Sequence, residues 1–304
     1  MDITVLVPDD RGIAALAEVT GVRPVRYEWG EPLPAAAGEA QVFVPPFTPG
    51  WGALEVLAEL PALRYVQLLT AGAEPWAGGL PDGLLLSTCR GAHGGSTAEL
   101  VVGALVAGYR EFGGFAAAQR DRRWDRHRTD TLQDKRVLVV GAGDLGVQLT
   151  RRLAAFDAQV TLIGRTARPG VHTVDELPEL LGEHDVVVLM VPLTDATTGM
   201  VDAEFLARMP DGATLVNVAR GAVVDTDALL AELTAGRLTA ILDVTDPEPL
   251  PADHPLWTAP GLTLFPHVGG NCRGLEDRAW RVAAGEIARF AAGKQLENQV
   301  RGDY

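Results

Sequence analysis

Residues 137–148 read Val-Leu-Val-Val-Gly-Ala-Gly-Asp-Leu-Gly-Val-Gln, an apolar run followed by glycines at 141, 143 and 146. Few folds accommodate that order. The apolar run reads as a strand covered on both faces, and the glycines mark places where a side chain would obstruct. Gly141 permits a tight turn, Gly143 lets a pyrophosphate approach the backbone, and Gly146 lets a helix pack on the strand. The amides of Asp144 and Leu145 then face the phosphates at a helix N-terminus, where backbone donors and the helix dipole favour an anion. A glycine triplet alone is a weak signal. Here a strand precedes it, a helix follows, and a second strand ends near Ile163.

Nearly continuous apolar runs recur at 136–140, 159–163, 185–191, 213–218, 238–244 and 262–265, most of them separated by helical segments. Six such runs predict a Rossmann-type, doubly wound parallel sheet over residues 99–270. Upstream, shorter runs at 3–7, 41–44, 64–69 and 84–86 alternate with helical or turn-rich pieces and predict a smaller α/β domain. Ser96-Thr97-Ala98-Glu99 has the form of a capping box and opens a long helical stretch to about residue 118. A second long helical pattern covers 275–292. The two helices are expected to carry the chain out of the first domain and back. The smaller, flavodoxin-like α/β domain therefore comprises both chain ends, 1–98 and 271–304.

At the tip of the second large-domain strand stands Gly164-Arg165-Thr166-Ala167-Arg168. A site selective for NAD places Asp or Glu there, to accept from the adenosine ribose hydroxyls. Arg165 can instead pair bidentately with a 2′-phosphate, and Thr166 can donate a hydroxyl. The tip favours NADP(H) and leaves NAD(H) usable. Arg165 and Arg168 also have a plainer reading, as solvated surface residues.

Three further side chains fall just past the C-terminal ends of successive strands: Arg220, Glu248 and His267. Open α/β sheets bind ligands in that crevice, so all three are expected to point toward one site. Singly, each reads as a surface ion pair, a loop acid or a loop histidine. Together, beside a dinucleotide turn, they form an acid, a base and a cation.

Composition bounds the alternatives. With 47% apolar and 22% charged residues the chain is globular, and a net charge of −14 argues against nucleic acid or an anionic membrane as partner. The N-terminus shows no basic, apolar leader, and Cys89 and Cys272 have no metal-type spacing. The expectation is a cytoplasmic protein with no metal site. The basic run from Arg120 to Arg128 is broken by Asp121 and Asp125 and reads as a surface loop.

The ordered pieces Val139-Val-Gly-Ala-Gly-Asp-Leu-Gly146, Val191-Pro-Leu-Thr-Asp-Ala-Thr-Thr-Gly-Met200, Asn217-Val-Ala-Arg-Gly-Ala-Val-Val-Asp225, Asp243-Val-Thr-Asp-Pro-Glu-Pro-Leu-Pro251, His254-Pro-Leu-Trp257 and Pro266-His-Val-Gly-Gly270 resemble the D-isomer-specific 2-hydroxyacid dehydrogenases. The resemblance runs from residue 96 to the end and is looser before it. It implies that Arg220, Glu248 and His267 are the catalytic set and that Asp243 holds the nicotinamide carboxamide. It also implies that Pro192, Thr197, Val218 and Ala219 lie along the cofactor. Leu69-Thr-Ala-Gly-Ala-Glu74 resembles the loop whose amides hold the substrate carboxylate, which marks Ala71 and Gly72. That loop departs from the family's usual Val-Gly-Val-Asp form.

The residue types suit reduction of a 2-keto acid. A histidine titrates near working pH and can give the proton. A carboxylate beside it orients the ring and favours its charged form. An arginine grips the substrate carboxylate and stabilises the developing oxyanion. Glyoxylate or hydroxypyruvate is the preferred substrate class, since the Gly-Arg-Thr tip resembles NADPH-linked reductases, and the family resemblance implies a homodimer. Trp29, Phe47, Trp51 and Trp76 are candidate pocket residues or core. Alternatives are a phosphoglycerate-, formate- or phosphonate-type dehydrogenase of the same family, or a dinucleotide-sensing protein without activity. Little sequence follows the last helix, so a regulatory domain of the kind some phosphoglycerate dehydrogenases carry is not expected.

Overall fold

Runs that are apolar on both faces form parallel strands, and every pair of named strands in this protein is parallel. The computed structural model describes residues 2–47, 54–77 and 79–301. The chain divides into two units, Met1–His93 with Arg273–Tyr304, and Gly94–Cys272.

The first unit begins β1 (Ile3–Val7), α1 (Asp10–Leu16), β2 (Val22–Arg26), β3 (Ala40–Phe43), β4 (Tyr65–Gln67), α2 (Glu74–Ala77) and β5 (Leu85–Ser87). Its strand order, β2-β1-β3-β4-β5, is the flavodoxin order. Strand periodicity splits β1 between two cores: Val5 and Val7 pack with Leu16 and Val42, whereas Leu6 packs with Tyr27, Phe43 and Val66. Strand β2 escaped the sequence reading because Val22-Arg-Pro-Val-Arg26 is not an apolar run. It lies at the sheet edge, where Pro24 removes no donor that an inner strand would need. Trp76 and Trp29 pack into the Leu6 core and Phe47 against the Val5 core, so these three aromatics serve packing. Trp51 lies outside the described residues.

The second unit runs α3 (Gly94–Tyr109), α4 (Phe112–Arg120), β6 (Arg136–Val140), α5 (Asp144–Leu153), β7 (Gln159–Gly164), β8 (Val171–Thr173), α6 (Leu177–Leu180), β9 (Val186–Leu189), α7 (Ala203–Arg208), β10 (Thr214–Asn217), α8 (Thr226–Thr234), β11 (Thr239–Leu242) and β12 (Leu262–Leu264). Its order is β12-β11-β10-β9-β6-β7-β8, with the direction of winding reversing between β6 and β9. Alternate residues feed the two faces: Leu138, Val140, Val187 and Leu189 one core, Val137, Val139, Val186 and Val188 the other. This is the doubly wound arrangement the apolar runs predict. The helix α9 (Leu275–Ala291) belongs to the first unit, and its Trp280 occupies the space that Gly12 of α1 leaves open.

Two expectations are corrected. The helix after the first unit begins at Gly94, so Ser96 and Thr97 lie in its first turn and do not cap it. The predicted long helix to about 118 is also two helices, α3 and α4, bent by 58°. Glu111 between them adopts φ +51°, the left-handed region, and an L-residue there cannot continue a right-handed helix. The three-residue β8 was not read, being too short to show a period. Among the described residues no single helix is long and apolar enough to cross a membrane.

Candidate active site

The glycine turn after β6 is built by close approach. A Cβ on Gly141, at φ +125°, would stand 2.4 Å from the Met190 carbonyl, and one on Gly146 would stand 2.1 Å from the Gly141 carbonyl. At Gly143 the corresponding space is open to 4 Å, and no side chain caps the N-terminus of α5. The first amides of α5, including those of Asp144 and Leu145, therefore lack intrahelical partners and a capping side chain. The Asp144 carboxylate is turned away, against Gly94 of α3. A cradle of glycine backbone at a helix N-terminus fits a dinucleotide pyrophosphate.

Arg165 and Thr166 follow β7 on the exposed surface. Arg168, which reads equally well as a solvated residue, reaches back to the turn: its Nη2 donates to the Ala142 carbonyl at 2.6 Å. The β7 tip thus sets one guanidinium against the glycine turn and another close by in sequence. Sequence reasoning gave no role to Arg168, because spacing alone does not show a side chain folding back over a glycine.

On the other half of the sheet, three loops carry the predicted residues. Strand β10 ends in Asn217, fully buried, whose amide donates to the Arg220 carbonyl at 2.8 Å and whose oxygen accepts from the Ala219 amide at 3.0 Å. Asn217 shapes the turn that presents Arg220, and Val218 and Ala219 are buried within it. Its signal was available: a polar residue ending an apolar strand. The Arg220 Nη1 donates to the Ala219 carbonyl at 2.6 Å. Gly221 lies under the next loop, since a Cβ there would stand 2.0 Å from the Thr245 carbonyl. The Arg220 and Glu248 loops are therefore stacked backbone on backbone.

Glu248 and His267 meet. The ring Nδ1 lies 2.6 Å from Glu248 Oε1, with both side chains about half exposed. An ionised carboxylate can only accept, so this pairing makes Nδ1 the donor and leaves Nε2 free of Glu248. His267 stands at φ +54°, a left-handed conformation that costs roughly 1–2 kcal/mol for a residue with a Cβ. Asp243, at the end of β11, surrounds that strained residue. Its carbonyl accepts from the His267 amide at 2.8 Å, and its carboxylate accepts from the amides of Val268 at 2.8 Å and Gly269 at 2.9 Å. The Asp243 amide in turn donates to the Asn217 carbonyl at 2.9 Å.

After β9, the Thr197 hydroxyl donates to the Pro192 carbonyl at 2.7 Å and accepts from the Thr194 amide, which folds this loop on itself. Ala71 and Gly72 belong to the first unit, in the loop between β4 and α2. There the Thr70 hydroxyl donates to the Gly72 carbonyl at 2.8 Å, and His93 Nε2 lies 3.0 Å from the Leu69 carbonyl.

Comparison with known proteins agrees with this architecture. The family model for the NAD-binding domain of D-isomer specific 2-hydroxyacid dehydrogenases matches residues 102–269. A Corynebacterium melassecola protein, named only as an uncharacterised protein in the proB 3′ region, is 31% identical over 252 residues, 78% of this chain and 82% of that one. The D-isomer specific 2-hydroxyacid dehydrogenase of Xanthobacter autotrophicus Py2, solved with NADPH and MES, superposes with a TM-score of 0.85 at 30% identity, covering 99% of this chain and 98% of that one. The NADPH-dependent glyoxylate/hydroxypyruvate reductase of Sinorhizobium meliloti, solved with NADP and sulfate, gives 0.81 at 26% identity, with the same coverage of both chains.

Proposed function

The chain belongs to the D-isomer specific 2-hydroxyacid dehydrogenases, NAD(P)-dependent oxidoreductases, and on that premise we propose that it reduces a small 2-keto acid to the 2-hydroxy acid, with glyoxylate and hydroxypyruvate as the preferred class. The observation that carries the reading is the 2.6 Å pair of His267 and Glu248, placed with Arg220 past the ends of β10, β11 and β12. When bound, the reduced dinucleotide supplies the hydride; Gly141–Gly146 holds its pyrophosphate, and Pro192, Thr197, Val218 and Ala219 line it. Arg220 grips the substrate carboxylate and polarises the keto group. His267 gives the Nε2 proton to the carbonyl oxygen as negative charge develops there. Glu248 fixes the ring and balances the imidazolium before transfer. Ala71 and Gly72 of the first unit are proposed as substrate-binding residues on the resemblance of their loop.

Arg165 and Arg168 support a preference for NADP(H) over NAD(H), because two guanidiniums at the β7 tip suit a 2′-phosphate and none of the tip residues is an acid. The S. meliloti reductase, NADPH-dependent and acting on glyoxylate and hydroxypyruvate, supports the same choice of substrate class. A spectrophotometric screen of 2-keto acids with NADPH and with NADH tests both proposals. Activity on glyoxylate or hydroxypyruvate, stronger with NADPH, is the expected result.

A homodimer is also proposed. Phe115 and Trp124 are exposed, Trp124 at 94%, and both line a groove of about 590 Å³ together with Ala118 and His127. Exposed apolar groups collected in one place mark an interaction surface. Sedimentation showing only a 32 kDa species at micromolar concentration would exclude it. Cys89 is buried, Cys272 is exposed and neither is in a disulfide, which fits a reducing compartment such as the cytoplasm.

A further inference from the structure

Five described non-glycine residues have positive φ and all are exposed, but of these His267 alone stands at the candidate site. A backbone in that region relaxes to an ordinary conformation unless its surroundings prevent it. Here one buried residue supplies three of the contacts. Asp243 is 3% exposed, and it accepts three consecutive amides, from His267 through its carbonyl and from Val268 and Gly269 through its two carboxylate oxygens. Gly269 is required at its position for the same reason, since a Cβ there would stand 2.8 Å from Asp243 Oδ2.

We propose that Asp243 is a positioning residue for His267: its carboxylate clamps residues 267–269 so that the imidazole is held in its strained pose against Glu248. The inference rests on the proposed role of His267 as proton donor. It stands beside the implied role of Asp243 in holding the nicotinamide carboxamide, since each carboxylate oxygen that accepts a loop amide has a second lone pair for another donor. A carboxylate offers acceptors on both oxygens. A carboxamide offers one acceptor and two donors, so in Asp243→Asn one of the two loop amides meets a donor whichever way the side chain turns.

The test uses the full-length protein with its best keto acid and reduced dinucleotide. Asp243→Asn should lower kcat at saturating substrates by roughly ten- to a hundredfold, the range of one lost charge-assisted hydrogen bond, with the Kd of the oxidised dinucleotide little changed. Gly269→Ala, which keeps the carboxylate but displaces Oδ2, should lower kcat in the same way and keeps the test open if Asp243→Asn fails to fold. On a His267→Ala background, Asp243→Asn should cost no further turnover, because a residue that acts through another has nothing left to position. An effect confined to dinucleotide Kd, or full additivity on the His267→Ala background, overturns the inference. Near-normal turnover of His267→Ala alone would instead remove the reading on which it rests.

Discussion

The two halves of the seven-stranded sheet hold their candidate site groups in different ways. Past β10, β11 and β12 each candidate side chain is braced: Asn217 ties the Arg220 turn, Gly221 sits under Thr245, Asp243 gathers the His267 loop, and Glu248 meets the ring. Past β6 and β7 the groups are glycine backbone, helix amides and exposed arginines, with the Arg168–Ala142 bond as a brace across the two loops. The difference matches what each half is proposed to do. Proton transfer depends on placement to within a fraction of an ångström, and misplacement is costly. A phosphate is held by charge and by an array of amides, and charge tolerates movement. On a chain of net charge −14 such positive features must be local, and the tip supplies them locally.

If the halves are separable in this sense, substitutions in one should change turnover and those in the other should change cofactor choice. The largest effect is expected for His267→Ala. Turnover should fall roughly 10²–10⁴-fold, the usual worth of a positioned acid or base, while dinucleotide affinity persists because the cradle lies on the other half. A comparable loss of dinucleotide affinity, read by fluorescence titration, would break the comparison. Next comes Arg220→Lys, which keeps the charge but loses the two-pronged grip on a carboxylate. KM for the keto acid should rise and kcat should fall, together costing about ten- to a hundredfold in kcat/KM, the range of a lost charge-assisted pair. A normal KM would place the substrate carboxylate elsewhere.

The tip of β7 should respond in another currency. Replacing Arg165 with Glu removes a phosphate partner and adds repulsion, so the ratio of kcat/KM for NADPH over NADH should fall by about tenfold or more, with kcat for the keto acid largely kept. Arg168→Ala should move the ratio the same way by less, since its Nη2 also serves the Ala142 carbonyl. A wild type that already prefers NADH would show this tip to be misread.

The same contrast decided what was legible in the sequence. The doubly wound sheet was readable because buried parallel strands are apolar throughout and glycine turns announce close approach. Arg220, Glu248 and His267 were readable because they stand at strand ends within ordered motifs. What brings them into register was not. Asn217 was visible as a residue but not as a brace, and the Asp243 carboxylate holds amides that every sequence has. The fold-back of Arg168 depends on a rotamer, the edge strand β2 on a mixed composition, and the break at Glu111 on a single left-handed residue. The strand runs also read too long, at 185–191 and 238–244 against Val186–Leu189 and Thr239–Leu242, because their last apolar residues already belong to the site loops.

The smallest expected effect lies outside both halves, in the exposed segment between α4 and β6, and it separates pH effects on stability from those on turnover. His127 lies 3.0 Å from Glu111 Oε2 and 3.4 Å from Asp125 Oδ1, and its ring stacks on Phe115 at 5.0 Å. The hydrogen bond to Glu111, helped by the one to Asp125, holds the His127 imidazolium above the usual histidine range. A group whose folded-state affinity for a proton is raised contributes stability that is fully present below its unfolded pKa, near 6.5 for histidine. That contribution is lost as the pH rises through the higher folded value. The pairs are solvent-exposed and therefore weak. His127→Gln removes the charge, so its melting temperature should fall below that of the wild type at about pH 5 and converge with it by about pH 9. The pH profile of turnover should not move with this substitution. A gap in melting temperature that widens with rising pH would mean that His127 is held neutral in the folded protein, against the geometry of two carboxylates around one ring.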